Sequence, residues 1–155
     1  MAFVIAQGSE SLKITTFAIN VRMKKMQEIS VEKLGRIIIE SIQEKKGQEI
    51  VQLDLRKTNN SVCEFFIIAH ADSNIQVKAI AKNIEENLRK NHETRALHAE
   101  GYENAHWILL DYISIVVHIF QQGIRDYYKL EELWEDAEIE RIEDPGAVDI
   151  KKTGT

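Results

Sequence analysis

The sequence WILLDYISIVVHIF, residues 107–120, predicts the centre of a β-sheet. Residues 107–110 and 115–117 carry large apolar side chains at consecutive positions, so both faces of each extended segment are apolar. Such strands lie inside a sheet that is covered on both sides. Tyr112 and Ile113 lie between the two runs, at a predicted turn. The stretch therefore predicts two neighbouring strands, residues 105–111 and 114–121.

Strand and helix patterns continue on the N-terminal side of this stretch. Residues 63–69 are apolar on both faces, and residues 50–55 alternate between apolar and polar side chains. Apolar residues recur every three or four positions in 31–46 and 73–91, which predicts two helices with Ser30 and Ser73 as N-caps. Gly47 is the predicted stop of the first helix.

The remaining predicted elements are shorter. They are a strand at 94–100 and helical turns at 124–128 and 130–134. Together the patterns predict an α/β fold: a single domain with a five-stranded mixed sheet and flanking helices. Residues 30–134 are the expected domain. Residues 1–29 are expected to be an extension that is disordered or not native, with Met23 or Met26 as alternative starts.

Charge and composition limit the classes of function. The chain has 155 residues and a net charge of −5. Residues 1–130 carry 17 Lys and Arg against 16 Asp and Glu, whereas residues 131–155 carry 3 against 9. A nearly neutral body disfavours direct, sequence-specific nucleic-acid binding, although a local basic patch stays compatible with it. Residues 135–155 are expected to be an acidic, solubilising tail.

The compartment follows from two further features of the sequence. A single cysteine, Cys63, excludes a disulfide within the chain and predicts a reducing, cytoplasmic compartment. No run of 18 apolar residues is present, so no membrane helix is expected.

A search for reactive groups predicts no catalytic residue, metal or cofactor. The sequence has no glycine-rich phosphate loop, and Cys63 opens an apolar strand, which is typical of an inert thiol. His98, His106 and His118 lie on neighbouring predicted strands and are the best zinc candidates. A one-residue choice of register places His118 opposite either Trp107 or Ile108, so the sequence does not establish that the three histidines converge. Asp54 and Asp111 stand alone on their strands, whereas magnesium-dependent nucleotide transfer needs clustered carboxylates.

An apolar surplus predicts a binding surface. Trp107 and Leu109 share one face of their strand, and Ile108 and Leu110 share the other. Two long helices cover one face of a five-stranded sheet, so apolar and aromatic area is left for a partner. The alternative, which the pattern favours equally, is that the terminal helices cover this area.

Seven stretches in order resemble the ribosome silencing factor (Iojap, RsfS) family. They are IVQLDLR (50–56), EFFIIA (64–69), SNIQVKAIA (73–81), EG (100–101), WILLDY (107–112), VVHIF (116–120) and RDYYKLEELW (125–134). No single stretch is specific, but their order over roughly 100 residues makes chance similarity improbable.

The resemblance implies a topology related to nucleotidyl transferases without their catalytic site. It also implies a translational repressor that binds the large ribosomal subunit through its fourteenth protein, uL14, and obstructs the small subunit. It further implies self-association when off the ribosome. Two other classes stay open: a nucleotidyltransferase-like enzyme, suggested by the topology alone, and a general RNA chaperone.

The resemblance and the apolar surplus predict the same contact surface, centred on Trp107. The predicted protein-binding residues are Trp107, Leu109, Asp111, Tyr112, His118 and Phe120. An aromatic anchor ringed by aliphatic and polar groups is the usual composition of an interface hot spot. The competing hypothesis is that Trp107 belongs to the core.

Overall fold

The computed structural model describes residues 13–21 and 29–146, and the chain divides into two compact units, residues 1–34 and 35–155. In the first unit, residues 13–21 form helix α1, which the sequence did not predict and whose side chains are exposed. Met23 and Met26 lie outside the described residues. No helix in the described ranges is both long enough and apolar enough to cross a membrane.

The second unit is built on a mixed sheet. Its strands are β1 (Gln48–Asp54), β2 (Phe65–Ala71), β3 (His98–Glu100), β4 (Trp107–Asp111), β5 (Ile115–Gln121) and β6 (Glu138–Arg141). The order across the sheet is β3–β4–β5–β2–β1–β6, with β2 and β5 parallel and the other neighbours antiparallel. The predicted α/β class and mixed sheet are confirmed, but the prediction of five strands is wrong because the described residues form a sheet of six.

The sixth strand lies in the segment that the sequence analysis left without secondary structure. β6 pairs with β1, placing Ile139 opposite Leu53, and the N–H of Ile142 donates to the carbonyl of Ile50 at 2.9 Å. All four β6 side chains are exposed, so the strand has no apolar alternation that a sequence pattern could detect. Backbone hydrogen bonds to the open edge of β1 stabilise it instead.

Two helices cover one face of the sheet. They are α2 (Val31–Glu44) and α3 (Asn74–His92), both close to their predicted bounds. Both predicted N-caps are confirmed: the Ser30 hydroxyl accepts from the N–H of Lys33 and the Ser73 hydroxyl from that of Gln76, each at 3.2 Å. The Gln76 side chain instead donates to carbonyls at the end of α2, so a reciprocal capping box does not form.

Polar side chains join the two helices. The Asn83 amide donates to the Ser41 carbonyl at 2.8 Å and to Glu44 Oε2 at 2.7 Å, and the Asn87 amide donates to the Ser41 hydroxyl and to Glu44. These hydrogen bonds lower the pKa of the Glu44 carboxyl. These side-chain hydrogen bonds therefore hold α2 and α3 together.

The end of α2 corrects one prediction. Gly47 is the predicted left-handed stop, but Lys46 adopts the left-handed conformation, with φ of 61°. The N–H of Gly47 donates to the Ile42 carbonyl at 3.0 Å. A Cβ at Gly47 would lie 2.3 Å from Ile42 Cγ2, so glycine is needed there for the close approach rather than for its φ.

The C-terminal segment covers the opposite face of the sheet. It contains the short helices α4 (Gln122–Tyr128) and α5 (Leu130–Leu133), followed by Trp134. Ile124, Leu130 and Trp134 pack on a buried cluster of sheet residues. The members of that cluster are Val51, Leu53, Leu55, Phe66, Ile68 and Phe120.

A buried arginine holds this segment in place. Arg125 is 6% exposed, and its guanidinium donates to the Glu49 carbonyl at 2.8 Å, to His70 Nδ1 at 2.9 Å and, through Nε and Nη2, to Glu131. Burial and the arginine charge lower the pKa of His70, which keeps its ring neutral and able to accept. The network ties α4 and α5 to the ends of β1 and β2.

We expect Arg125→Met to lower the free energy of unfolding by about 2–4 kcal/mol, because it leaves the buried His70 acceptor and the partly exposed Glu131 carboxylate without their donor. Lys129→Met is the matched control, since it removes an exposed ion pair to Glu132 (3.3 Å) and should cost less than about 1 kcal/mol. Urea denaturation of both variants measures the difference. Equal losses would contradict the assigned role of Arg125.

Candidate protein-binding surface

The register of β4 and β5 brings most of the predicted contact residues to one face. Alternation along β4 points residues 107, 109 and 111 to the same side, and their antiparallel partners are residues 120, 118 and 116. Five of the six predicted residues therefore share the face covered by the C-terminal segment: Trp107, Leu109, Asp111, His118 and Phe120.

Trp107 is held in a defined orientation at the rim of this face. Its indole N–H donates to His118 Nδ1 at 3.1 Å, and its ring stacks on Phe120 with centroids 4.9 Å apart and an interplanar angle of 27°. Tyr128 from α4 approaches it with centroids 5.1 Å apart. The side chain is partly exposed, so Trp107 is neither a fully buried core residue nor a free surface residue.

His118 is the polar support of the tryptophan. It is 4% exposed, and burial lowers its pKa to about 4. The ring is therefore neutral near neutral pH, and the Nδ1 that accepts from Trp107 leaves the proton on Nε2, which has no hydrogen-bond partner. The ring also packs in a T-shaped arrangement with Phe66, with ring centroids 4.8 Å apart.

Burial separates the predicted residues into two groups. Phe120 is fully buried and His118 nearly so, so these two support the surface from below. Trp107, Leu109 and Asp111 are partly exposed, as is Val116 opposite Asp111. The area open to a partner is therefore the rim formed by β4 and the start of β5.

Asp111 begins and stabilises the turn that follows β4. Its Oδ1 accepts from the N–H of Ile113 at 2.8 Å, which confirms the turn-initiating role that the sequence favours. Ile113 adopts a left-handed conformation, with φ of 72°, and is 54% exposed. The turn thus presents an aliphatic side chain beside the rim.

Tyr112 lies apart from the other predicted residues. It is 4% exposed, and its parity along the chain places it with Leu110 on the face covered by α3. Burial and the nearby Glu85 charge raise its pKa, and Glu85 itself accepts from the Tyr102 hydroxyl. Tyr112 is therefore packed in the core rather than exposed on the Trp107 face.

The sequence analysis missed the contribution of α4 to the rim. Tyr128 touches Trp107, and Tyr127 packs edge-on against Tyr128, with centroids 5.1 Å apart. Tyr127 is 80% exposed and Tyr128 49% exposed. The sequence of residues 125–134 could have indicated this contribution, because it places two adjacent tyrosines in a predicted helical turn.

The candidate reactive groups do not converge. Register places His98 opposite Asp111 and His118 opposite Leu109, so the histidines are not brought together, and no metal-holding group of His, Cys, Asp or Glu occurs in the described ranges. Burial raises the pKa of Cys63 to about 11. Asp54 forms an ion pair with Arg56 at 2.6 Å. The candidate histidines and carboxylates therefore do not form one cluster in the described part of the chain.

Comparisons with known proteins agree with the resemblance. The family model "Ribosomal silencing factor during starvation" matches residues 28–154. A ribosomal silencing factor of Chromobacterium violaceum is 35% identical over 106 residues, covering 68% of this chain and 85% of that protein. One of Halalkalibacterium halodurans is 34% identical over 115 residues, covering 74% and 97%.

Solved structures agree with the fold. A crystal structure of a Chromobacterium violaceum protein superposes with a TM-score of 0.66 at 34% identity, over 69% of this chain and 88% of that one. A crystal structure from Bacillus halodurans gives a TM-score of 0.61 at 32% identity, over 72% and 98%.

Acid should destabilise the fold through His118. Between its ordinary pKa of 6.5 and its folded pKa of about 4, the unfolded chain binds more protons, so the free energy of unfolding falls as pH falls through this window. The full loss from this group is roughly 3 kcal/mol. Urea denaturation across the window should show a shallower pH dependence for His118→Phe. The control His98→Gln, at an exposed position, should keep the parent's slope of unfolding free energy against pH. If His118→Phe also keeps that slope, His118 is not the cause of the acid sensitivity.

Proposed function

Because the chain belongs to the ribosomal silencing factor family, we propose that it represses translation by occupying the large ribosomal subunit. It binds there through the fourteenth protein, uL14, and obstructs docking of the small subunit. The observation that carries the proposal is the partly exposed Trp107, held by His118 and flanked by Leu109 at a rim that the C-terminal segment leaves open. A rigid aromatic anchor beside aliphatic area is suited to a protein partner.

Preorganisation favours this rim as the contact surface. The hydrogen bond to His118 and the stack on Phe120 fix the indole before binding, so little side-chain entropy is lost on association. The exposed Tyr127 and Tyr128 extend the rim with two further aromatic side chains. The proposed surface therefore consists of Trp107 and Leu109 with these tyrosines at its border.

The proposal requires no chemistry from this chain and no cofactor. Asp54 is paired with Arg56, and Asp111 is engaged in a turn, so these carboxylates do not form the metal cluster of a nucleotidyl transferase, even though we take the topology to be related. We place the protein in the cytoplasm, where its partner lies, and propose that it self-associates when free. Repression then depends on occupancy alone.

Repression by occupancy predicts saturation at one factor per large subunit. The light-scattering signal from joined subunits should fall in proportion to the added protein. It should stop falling at one molecule of this protein per large subunit. Excess small subunits should relieve the inhibition, because the two compete for overlapping positions. Inhibition at catalytic, sub-stoichiometric amounts would overturn the proposal.

Trp107→Ala should weaken binding to the large subunit by about 2 kcal/mol or more, roughly 30-fold. Leu109→Glu should weaken it comparably, since it introduces a charge into the apolar part of the rim. Ile75→Glu is the matched control, because Ile75 is 77% exposed on α3, away from this face. Co-sedimentation with purified large subunits measures all three.

Melting curves on the same variants separate lost binding from lost folding. Trp107 also packs on the core, so Trp107→Ala is expected to melt at a lower temperature. Leu109→Glu is also expected to melt at a lower temperature, since Leu109 is partly buried in β4, whereas Ile75→Glu should melt close to the parent protein. Normal binding by folded Trp107→Ala and Leu109→Glu would remove this rim from the proposed interface.

A further inference from the structure

The turn between β4 and β5 holds a β-branched residue in a conformation that disfavours it. The N–H of Tyr112 donates to the Ile115 carbonyl at 2.9 Å, so Ile113 and Ser114 form a two-residue connection between the strands. The favoured connections of this length have a positive φ at their first residue, where glycine is common. In this chain that residue is Ile113, with φ of 72°, and β-branched side chains rarely adopt this conformation.

Hydrogen bonds on both sides hold Ile113 in this strained conformation. The N–H of Ser114 donates to the Tyr112 carbonyl at 2.9 Å, across Ile113. Such a bond around a residue with positive φ is typical of a γ-turn of the rarer, strained kind. The N–H of Ile113 itself donates to the Asp111 carboxylate at 2.8 Å. The surrounding groups therefore fix the backbone of the turn despite its strain.

The fold gives the Ile113 side chain little in return for this strain. More than half of the side chain is exposed, so its burial within the chain offsets only part of the cost. Glycine or asparagine would adopt the same backbone conformation with less strain. Strained residues that the fold does not need are found at functional sites, which makes the exposed Ile113 side chain a candidate contact with a partner.

Exposed aliphatic side chains flank this turn on both sides. The N–H of Leu97 donates to the Asp111 carbonyl at 2.7 Å, which places Leu97 beside the start of the turn. The N–H of Glu64 donates to the Ser114 carbonyl at 2.9 Å, which brings the segment that contains Val62 to the end of the turn. Both aliphatic side chains are largely exposed. The group is called the apolar tip, and its members are Val62, Leu97 and Ile113. Single exposed apolar residues are ordinary, whereas a group of them marks an interaction site.

The apolar tip continues the Trp107 rim along β4. Leu109 and Val116 are partly exposed and lie between Trp107 and the turn. From Trp107 to Ile113 the chain extends at most about 20 Å. A standard interface buries roughly 800 Å² on each partner, which is a patch about 30 Å across, so one partner is large enough to cover the rim and the tip together.

The chemistry of the apolar tip favours a protein as its occupant. Its side chains are aliphatic and carry neither a charge nor a hydrogen-bonding group, so they offer no contact to a phosphate backbone. Arg95 and His98 are exposed and flank Leu97 in the sequence, which gives the tip a polar border. An apolar centre with a polar border is the usual anatomy of a protein–protein interface.

We propose that the apolar tip is a second contact with the ribosomal protein that the Trp107 rim binds, and that Ile113 supplies its central side chain. The inference rests on the proposed function and extends its contact surface from one end of β4 to the other. The strained backbone at Ile113 holds an aliphatic group at the tip of the turn before binding. The contact therefore loses little conformational entropy on association.

Substitutions at Ile113 separate the role of the side chain from that of the turn. Ile113→Asn removes the aliphatic group but tolerates the positive φ, so it should melt no lower than the parent protein and weaken large-subunit binding by at least about fivefold. Ile113→Leu keeps an aliphatic group and should keep the affinity within about twofold. The matched control is Ile75→Asn, which makes the same substitution at an exposed isoleucine on α3 and should bind like the parent. Co-sedimentation with purified large subunits and thermal melting provide both measurements.

A variant outside the turn tests the tip without changing the strained backbone. Leu97 is exposed, so Leu97→Asn should fold normally and should also weaken large-subunit binding severalfold. A photo-crosslinking residue at Val62 identifies the occupant on purified large subunits. Adducts on a ribosomal protein support the proposal, whereas adducts on ribosomal RNA alone, or on a second copy of this chain alone, overturn it.

The failure of this contact can be told apart from the failure of the proposed function. Parent-like binding by Ile113→Asn and Leu97→Asn overturns the apolar tip, and leaves the proposed function intact if Trp107→Ala still weakens binding. A low melting temperature of Ile113→Asn together with normal binding by Leu97→Asn makes Ile113 a structural residue and also overturns the proposal. If the parent protein fails to bind large subunits, the proposed function fails first and the tip contact fails with it.

Discussion

Burial of β5 on both faces is the constraint on which the rest of the structure depends. A strand of this kind needs two covers, because neither face can be left to water without exposing large apolar side chains. Helices α2 and α3 provide one cover, and a short C-terminal segment provides the other. The second cover is small, with two helices of 7 and 4 residues, so it reaches Phe66 and Phe120 but only part of Trp107. The candidate surface exists because the cover ends there.

Elements with a repeating apolar pattern could be predicted from the sequence. Helices α2 and α3 were predicted with their serine caps, and β2, β4 and β5 were predicted from apolar runs. Strand β6 could not be predicted in this way, because it is stabilised by backbone pairing with β1 and all four of its side chains are exposed. The position of Gly47 after α2 was predicted correctly, but the reason for a glycine there was not. The close approach to Ile42 that requires it can be seen only in the folded structure. Helix α1 lacks a sustained pattern and was likewise missed.

The candidate site shows the same division between local and tertiary information. Alternation along β4 correctly grouped Trp107 and Leu109. Register placed His118 opposite Leu109, whereas the sequence allowed only Trp107 or Ile108, and this one-residue difference decides which ring supports the indole. The exposure of Phe120 and Tyr112 depended on elements far along the chain, so both were expected at the surface and are buried. Tyr128 enters the rim only because α4 folds back over the sheet.

The rim is therefore a product of the C-terminal segment as much as of β4. The guanidinium of Arg125 holds α4 and α5 through Glu131 and fixes them to the strand ends through His70 and Glu49. This places Tyr128 against Trp107, whose indole is fixed on the other side by His118. Loss of the arginine network would move one wall of the rim without touching any residue that faces a partner. In the proposed contact a partner recognises the shape of the rim, so loss of this remote support should weaken binding even though every residue that faces the partner is retained.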